Sequence, residues 1–333
     1  MTDSFKALVT EEMNDGSFRR SIQEWPLDRL PDNEVLIRVR YSSLNYKDAL
    51  SASGNKGVTK EYPHIPGIDA AGMVEEAGKS GFSEGDKVLV TGYDLGQNTP
   101  GGFGQFIRVP AEWVVPLPEK LSLRESMILG TAGLTAAIGI HRLRHNGLKP
   151  ESGQLLVTGA TGGVGTLSVA ILSKLGYSVT AATGKMDRED FLKDVLGAEQ
   201  IINRDSVQDE SGRPLLSGRW AGGIDTVGGI MLDTMLRQTS HNGTVACCGN
   251  ILGHELHTNV YPFILRGITL TGMDSGNCPM ELREALWKKL SASWKPDVLD
   301  RLAEECTLDE LNREIERILA GKQVGRLLIN LDS

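Results

Sequence analysis

The residues best suited to chemistry lie in the stretch Gln154–Gly165, QLLVTGATGGVG, where a short apolar run leads straight into a glycine-rich turn and then a helical pattern. Gly162, Gly163 and Gly165 occupy the last positions of a G-x-G-x-x-G pattern whose first glycine is replaced by Ala160. Such a turn lets backbone N–H groups at a helix N-terminus approach a pyrophosphate, as a dinucleotide requires. An isolated glycine turn can also be only a tight connection, so its surroundings decide. A domain that takes NAD offers Asp or Glu to the adenosine ribose about 20 residues beyond the turn. This chain offers Thr183-Gly184-Lys185 instead. With no carboxylate to repel a 2′-phosphate, and a lysine and a hydroxyl to bind one, the sequence favours NADPH. Arg204 would add a guanidinium that matches phosphate oxygens bidentately. The alternative leaves Lys185 a solvated loop charge and Arg204 an exposed strand end. Asp187, the nearby acid, reads as a helix N-cap from its spacing to Asp190.

The elements around this turn alternate. Strands are expected at Leu155–Thr158, Val179–Thr183, Gln200–Asn203, Gly223–Val227, Thr244–Cys248 and Ile268–Thr271, and helices at Val164–Leu175, Arg188–Leu196 and Ile230–Thr239. Short β-rich runs without polar alternation imply strands covered on both faces, hence a parallel sheet in a doubly wound nucleotide-binding domain. Upstream, Glu34–Leu44, Ala71–Glu75, Lys87–Val90 and Phe103–Val109 read as strands separated by turn signals such as Pro66-Gly67 and Pro100-Gly101-Gly102, giving a β-barrel-like domain. The helical stretch Leu123–Leu143 bridges the two. From Pro279 onward two amphipathic helices precede a last strand, Arg326–Asn330, expected to return to the first domain.

A chain of 333 residues suggests two domains. A net charge of −8 and a pI near 5.4 argue against nucleic-acid or membrane-surface binding, which needs a basic face. The amino terminus lacks a signal-peptide core and no run approaches a membrane span, so a cytoplasmic location is expected. Cys247, Cys248, Cys278 and Cys306 show neither metal-ligand nor disulfide-framework spacing.

The order of elements and several motifs resemble the medium-chain dehydrogenase/reductase superfamily along essentially the whole chain. These motifs are Pro66–Gly72, Gly85–Val88, Gly130–Ala136 and Val157–Gly165. Ser42–Leu50, Trp220–Gly228, Pro262–Arg266 and Gly272–Ser275 are similar to the zinc-free, quinone-oxidoreductase-like branch that includes acrylyl-CoA reductases. The resemblance implies an α/β chain with a GroES-like catalytic domain (residues 1–122), a Rossmann NADPH-binding domain (123–275) and a C-terminal segment (276–333) returning to the first.

In zinc-using relatives a cysteine stands at the place of Asn45, Gly-His-Glu at Gly67-Ile68-Asp69, and a second cysteine near Gly130. The resemblance therefore implies that no metal is held, which disfavours simple alcohol dehydrogenation because an alkoxide has nothing to stabilise it. It implies instead a hydride transfer from NADPH to an activated C=C bond, with Asn45, Tyr46, Asp48, Asp69 and Arg326 around one cleft. Asn45 and Arg326 would serve as donors to the enolate oxygen, Tyr46 as cofactor contact or proton relay, and the two aspartates as orienting groups. The residues by themselves also allow Asn45 and Asp48 as turn-satisfying groups, Tyr46 as core packing and Arg326 as a surface strand-edge charge.

Carried over position by position, Thr161, Gly162, Gly163 and Val164 form the phosphate loop. Thr183, Gly184, Lys185 and Arg204 form the 2′-phosphate pocket. Tyr46, Asn250, Ile264 and Ser275 line the nicotinamide side. Lys185 stands where arginine is common and Ala320 where asparagine occurs. The implied activity is reduction of a short 2-enoyl-CoA thioester, acryloyl-CoA above others; an NADPH:quinone oxidoreductase and a non-catalytic NADPH-binding protein are the alternatives. The segment Gly267–Met273 reads as an edge strand, and dimerising relatives extend their sheet this way, so a homodimer is expected.

Overall fold

In the computed structural model, which describes residues 3–332, the chain divides into two compact units. One comprises Met1–Thr131, Gly276–Ser291 and Leu302–Ser333; the other comprises Ala132–Ser275 and Ala292–Arg301. The division falls within the helical stretch Leu123–His145, one residue beyond Gly130, whose φ of 51° and ψ of −156° interrupt the helix.

The first unit is built on the strand Val35–Ser43, whose Val35, Leu36, Ile37 and Val39 are buried. Three strands pair with it antiparallel: Asp69–Glu76, Phe106–Val109 and Arg326–Asn330. The sheet continues through Lys87–Thr91 to Val115–Pro116 on one side, and through Ala303–Thr307, parallel to Arg326–Asn330, on the other. The register Leu328↔Ser43, with Leu44 N–H donating to Leu327 O at 3.0 Å, brings the first residue of the last strand to the loop after Ser43. A hairpin, Ser4–Glu12 with Phe18–Pro26, precedes these strands and closes through Gly16 at φ 79°, with Asp15 accepting the Ser17 N–H at 2.9 Å.

The second unit contains six parallel strands in the order Gln200–Asn203, Val179–Thr183, Leu155–Thr158, Trp220–Asp225, Thr239–Cys247, Thr269–Gly272. Leu155, Leu156, Val157, Val179 and Ala181 are fully buried, as strands covered on both faces require. The order reverses between the strand that comes first in sequence, Leu155–Thr158, and its neighbour Trp220–Asp225, where doubly wound sheets bind ligands. One expectation is corrected: Arg188–Leu196 is not an α-helix but a 3-10 turn, Met186–Arg188, followed by a π-type turn, Phe191–Val195. Asp187 lies inside the first turn beside Arg188 at 3.3 Å and caps neither.

Candidate active site

In the first unit, the strand Val35–Ser43 ends in Leu44 and Asn45, and the short helix Tyr46–Ser51 begins. Asn45 has extended backbone, and Asp48 Oδ2 accepts its N–H at 2.8 Å, so the helix start is held by its own third residue. The other oxygen, Asp48 Oδ1, accepts the Ile68 N–H at 2.8 Å and fastens the helix to the start of the strand Asp69–Glu76.

Asp69 is fully buried. Its Oδ2 accepts from Ser43 Oγ at 2.6 Å and Asn45 Nδ2 at 2.8 Å, and its Oδ1 accepts from Thr131 Oγ1 at 2.6 Å and Thr131 N at 3.0 Å. Arg326 is 2% exposed. Its Nε donates to Ile128 O at 2.9 Å, Nη1 to Asn45 Oδ1 at 3.2 Å and Nη2 to Ser43 Oγ at 2.8 Å, with Nη2 3.8 Å from Asp69 Oδ2. Burial, with the Asp69 carboxylate second, pushes the Asp48 carboxyl up to about 7. Burial also lowers the Arg326 pKa, against the pull of Asp69 and Asp48.

Asn45, Asp48, Asp69 and Arg326 are thus in one network, and Arg326 is not a surface strand-edge charge. In this structure the Asn45 amide and the Arg326 guanidinium direct their N–H groups at Asp69, Asp48, Ser43 and main-chain oxygens within the unit. Tyr46, at the first helical position, is 40% exposed and is not core packing. Ser43 and Thr131 complete the network and were not singled out in the sequence; hydroxyl residues at a strand end and beside a helix break carry no distinctive pattern.

Gly130 explains why a glycine is needed here. A Cβ on it would stand 2.5 Å from Asp69 Oδ2, 2.8 Å from Ser43 Oγ and 2.9 Å from Arg326 Nη2, and its φ already lies in the left-handed region. Of the positions that the resemblance equates with zinc ligands, Asn45 and Gly130 lie against the Arg326 guanidinium, and the three together offer an amide, an isoleucine and a glycine. That donor set does not fit Zn²⁺, which takes thiolate, imidazole or carboxylate. Among the described residues no group of three or more His, Cys, Asp or Glu side chains is arranged to hold a metal ion, and the four cysteines are free thiols.

In the second unit, the turn after Leu155–Thr158 carries Gly159 at φ +60°, and a Cβ there would overlap Thr226 Oγ1. This glycine, one residue before Ala160, is the strained position of the turn. Gly165 is required for a different reason, since a Cβ on it would overlap Gly159 O and strike Ala160 Cα. The helix Gly163–Lys174 starts from Gly162 with no side-chain cap and no acid in its first turn. Its leading N–H groups therefore suit an anion, as a pyrophosphate cradle requires.

Thr183 and Thr161 lie side by side, Oγ1 to Oγ1 at 3.2 Å, and the Lys185 N–H donates to Thr183 Oγ1 at 3.0 Å. Arg204 reaches over Gly184 so closely that a Cβ there would stand 3.0 Å from its Nε. Thr161, Thr183, Gly184, Lys185 and Arg204 are thus together at the ends of neighbouring strands. Asn250 is exposed beside the turn at Gly228, and Ser275, 8% exposed, accepts from Thr135 Oγ1 at 2.7 Å. Ile264 is 67% exposed on the helix Tyr261–Arg266; its place among the coenzyme contacts rests on the resemblance rather than on a contact of its own.

Residues 31–119 match the model of the alcohol dehydrogenase GroES-like domain and residues 163–292 that of the zinc-binding dehydrogenase. Over 332 residues, 99% of this chain and the whole of the relative, the sequence is 43% identical to the putative quinone oxidoreductase YhfP of Bacillus subtilis. It is 40% identical over 330 residues to the acrylyl-CoA reductase AcuI of Ruegeria pomeroyi, again covering 99% and 100% of the two chains. The chain belongs to the medium-chain dehydrogenase/reductase superfamily, in its acrylyl-CoA reductase-like branch. Solved members of this branch superpose closely: the Salmonella enterica yhdH oxidoreductase in complex with NADP at TM-score 0.94 (40% identity, 98% of this chain and 99% of that one), and B. subtilis yhfP with NAD bound at 0.95 (43%, 99% and 100%). The superfamily fold, a GroES-like unit with a parallel six-stranded Rossmann unit, is the fold described above.

Proposed function

We propose that this medium-chain reductase uses NADPH to reduce the activated C=C bond of a short 2-enoyl-CoA thioester, acryloyl-CoA to propanoyl-CoA, without a metal. The observation that carries this reading is the buried Asp69–Arg326–Asn45 network, in which Asn45 stands where metal-using relatives carry a cysteine. Without a Lewis acid, oxidation of a simple alcohol lacks a partner for the alkoxide, whereas an enolate conjugated to a thioester needs only hydrogen-bond donors. NADPH, when bound, supplies the hydride for the β-carbon.

The chain's own residues do the rest. The turn Thr161, Gly162, Gly163 and Val164 holds the pyrophosphate, the Gly162 N–H bracing the turn on Gly159 O at 2.9 Å while the N–H groups of Thr161, Gly163 and Val164 serve as donors, and Thr183, Gly184, Lys185 and Arg204 hold the 2′-phosphate. Asn250, Ile264 and Ser275 line the nicotinamide side. Asn45, Asp48, Asp69 and Arg326 act as positioning residues: they fix the start of the helix Tyr46–Ser51, so that the exposed Tyr46 hydroxyl is the donor offered to coenzyme or enolate oxygen. The α-carbon takes its proton from water.

NADPH:quinone oxidoreduction is the second reading, favoured by the name of the B. subtilis relative. Initial rates of NADPH oxidation against acryloyl-CoA, crotonyl-CoA and a benzoquinone separate the two. The proposal requires the highest kcat/KM with acryloyl-CoA and fails if the quinone is preferred.

A further inference from the structure

The nucleotide unit holds a buried carboxylate that the coenzyme contacts above do not use. Asp225 ends the strand Trp220–Asp225 and is fully buried. Its Oδ1 accepts from Thr158 Oγ1 at 2.7 Å, and its Oδ2 accepts from Gly228 N at 2.7 Å and Val227 N at 3.3 Å. Thr158 is the last residue of the adjacent strand, immediately before the turn that carries Gly159 to Val164. Its hydroxyl oxygen also accepts the Thr226 N–H at 3.0 Å, and Thr226 Oγ1 donates to Thr158 O at 2.8 Å. A third turn joins them: Cys248 N–H donates to Asp225 O at 3.0 Å, and a Cβ on Gly249 would overlap Thr226 O. Three strand-end turns are thereby locked together across the point where the strand order reverses.

The choice of a carboxylate is informative. A buried charge is costly without compensation, and an apolar residue would pack at this strand end as well. A carboxylate alone among side chains accepts on both oxygens: one takes the Thr158 hydroxyl, the other two consecutive backbone N–H groups of the neighbouring turn. Burial raises the Asp225 pKa, and these same three donors oppose the rise.

We infer that Asp225, with Thr158 as its bridge, is a positioning residue for the dinucleotide, holding the pyrophosphate turn and the Thr226–Gly228 turn as one preformed cradle. This rests on the reading that Thr161–Val164 carry the coenzyme pyrophosphate. Calorimetric titration with NADP⁺ and with 2′-AMP, which keeps the 2′-phosphate but lacks the pyrophosphate, tests it on Asp225→Asn and Thr158→Val at a temperature where melting curves show each fully folded. An amide at 225 turns one acceptor into a donor, so the NADP⁺ Kd of Asp225→Asn should rise about tenfold, as loss of one buried hydrogen bond allows. The 2′-AMP Kd should stay within about twofold, because a correctly folded strand end leaves the Thr183–Lys185 side intact. Thr158→Val should move NADP⁺ in the same direction, and decides the matter alone if Asp225→Asn does not fold. Equal weakening of both ligands, or unchanged NADP⁺ affinity in folded variants, would overturn the inference. Failure of the native protein to bind NADP⁺ would refute the underlying coenzyme reading before any variant is made.

Discussion

Replacing Arg326 by alanine tests the reading of the Asn45 network most severely. The guanidinium is 2% exposed, lies 3.8 Å from the fully buried Asp69 carboxylate, and donates to Ile128 O, Asn45 Oδ1 and Ser43 Oγ. Its removal leaves a buried carboxylate without its cation and takes a donor from four oxygens, Ile128 O, Leu44 O, Asn45 Oδ1 and Ser43 Oγ. Breaking one side of a buried ion pair costs about 3–5 kcal/mol, and the lost hydrogen bonds are part of that sum rather than an addition to it. A typical stability of roughly 5–15 kcal/mol makes such a loss readily measurable. Urea unfolding followed by tryptophan fluorescence and far-ultraviolet circular dichroism, fitted with a separate transition for each unit, supplies the number. Removing both charges at once, Arg326→Met with Asp69→Asn, should cost less than the two single changes added together, because no lone charge remains buried. NADPH affinity should fall by no more than the loss of one hydrogen bond, from Tyr46, allows in every variant that stays folded, since the phosphate-binding residues belong to the other unit. A loss below about 1 kcal/mol for Arg326→Ala, or strict additivity in the double variant, would refute the network as described.

Lys185→Ala with Arg204→Ala should weaken NADPH by more than about tenfold and leave NADH nearly unaffected, allowing for the 56% exposure of the Arg204 side chain; equal affinity of the native protein for both coenzymes would contradict the 2′-phosphate pocket. Asp48, whose carboxyl is raised from 3.8 to about 7 in the folded state, keeps a proton that the unfolded chain releases. Its contribution is therefore full below about pH 4 and is lost as pH rises to about 7. Asp48→Asn should flatten the decline in stability across that window, and parallel pH profiles for native and variant would show that the carboxyl does not titrate there. The strand Thr269–Gly272 at the sheet edge, with Ile251, Val260, Ile264 and Leu265 between 55% and 67% exposed nearby in sequence, should pair with its own copy. A monomeric mass by light scattering at micromolar concentration would exclude the homodimer.

The nucleotide unit was legible because its signals are local. Leu155–Thr158, Val179–Thr183 and Gln200–Asn203 announce themselves as short apolar runs, and their observed bounds coincide with the expected ones. The hairpin Ser4–Glu12 with Phe18–Pro26 escaped notice because Lys6, Glu11, Arg19, Arg20 and Glu24 dilute its alternation, although Asp15-Gly16 marked the turn. Ala303–Thr307 lacks a strand signature for a related reason: Glu304 and Glu305 are both exposed, and its place in the sheet comes from pairing with Arg326–Asn330. The resemblance brought Asn45, Asp48, Asp69 and Arg326 forward, but the direction of their hydrogen bonds depends on contacts as distant in sequence as Arg326 and Ser43. No spacing rule carries that information. For the same reason Thr158 and Asp225 remained unremarked until the strand ends were seen side by side.

The chemistry proposed for this chain is metal-free hydride transfer from NADPH to the β-carbon of an enoyl thioester. Deuterium tracing on chelator-dialysed protein tests it most directly, with NADPH labelled by deuterium at nicotinamide C4 and acryloyl-CoA as acceptor. Chelator dialysis should leave turnover undiminished, and propanoyl-CoA should carry the transferred deuterium at C3 and a solvent proton at C2. Turnover that returns only on addition of zinc, or propanoyl-CoA without deuterium at C3, would contradict it.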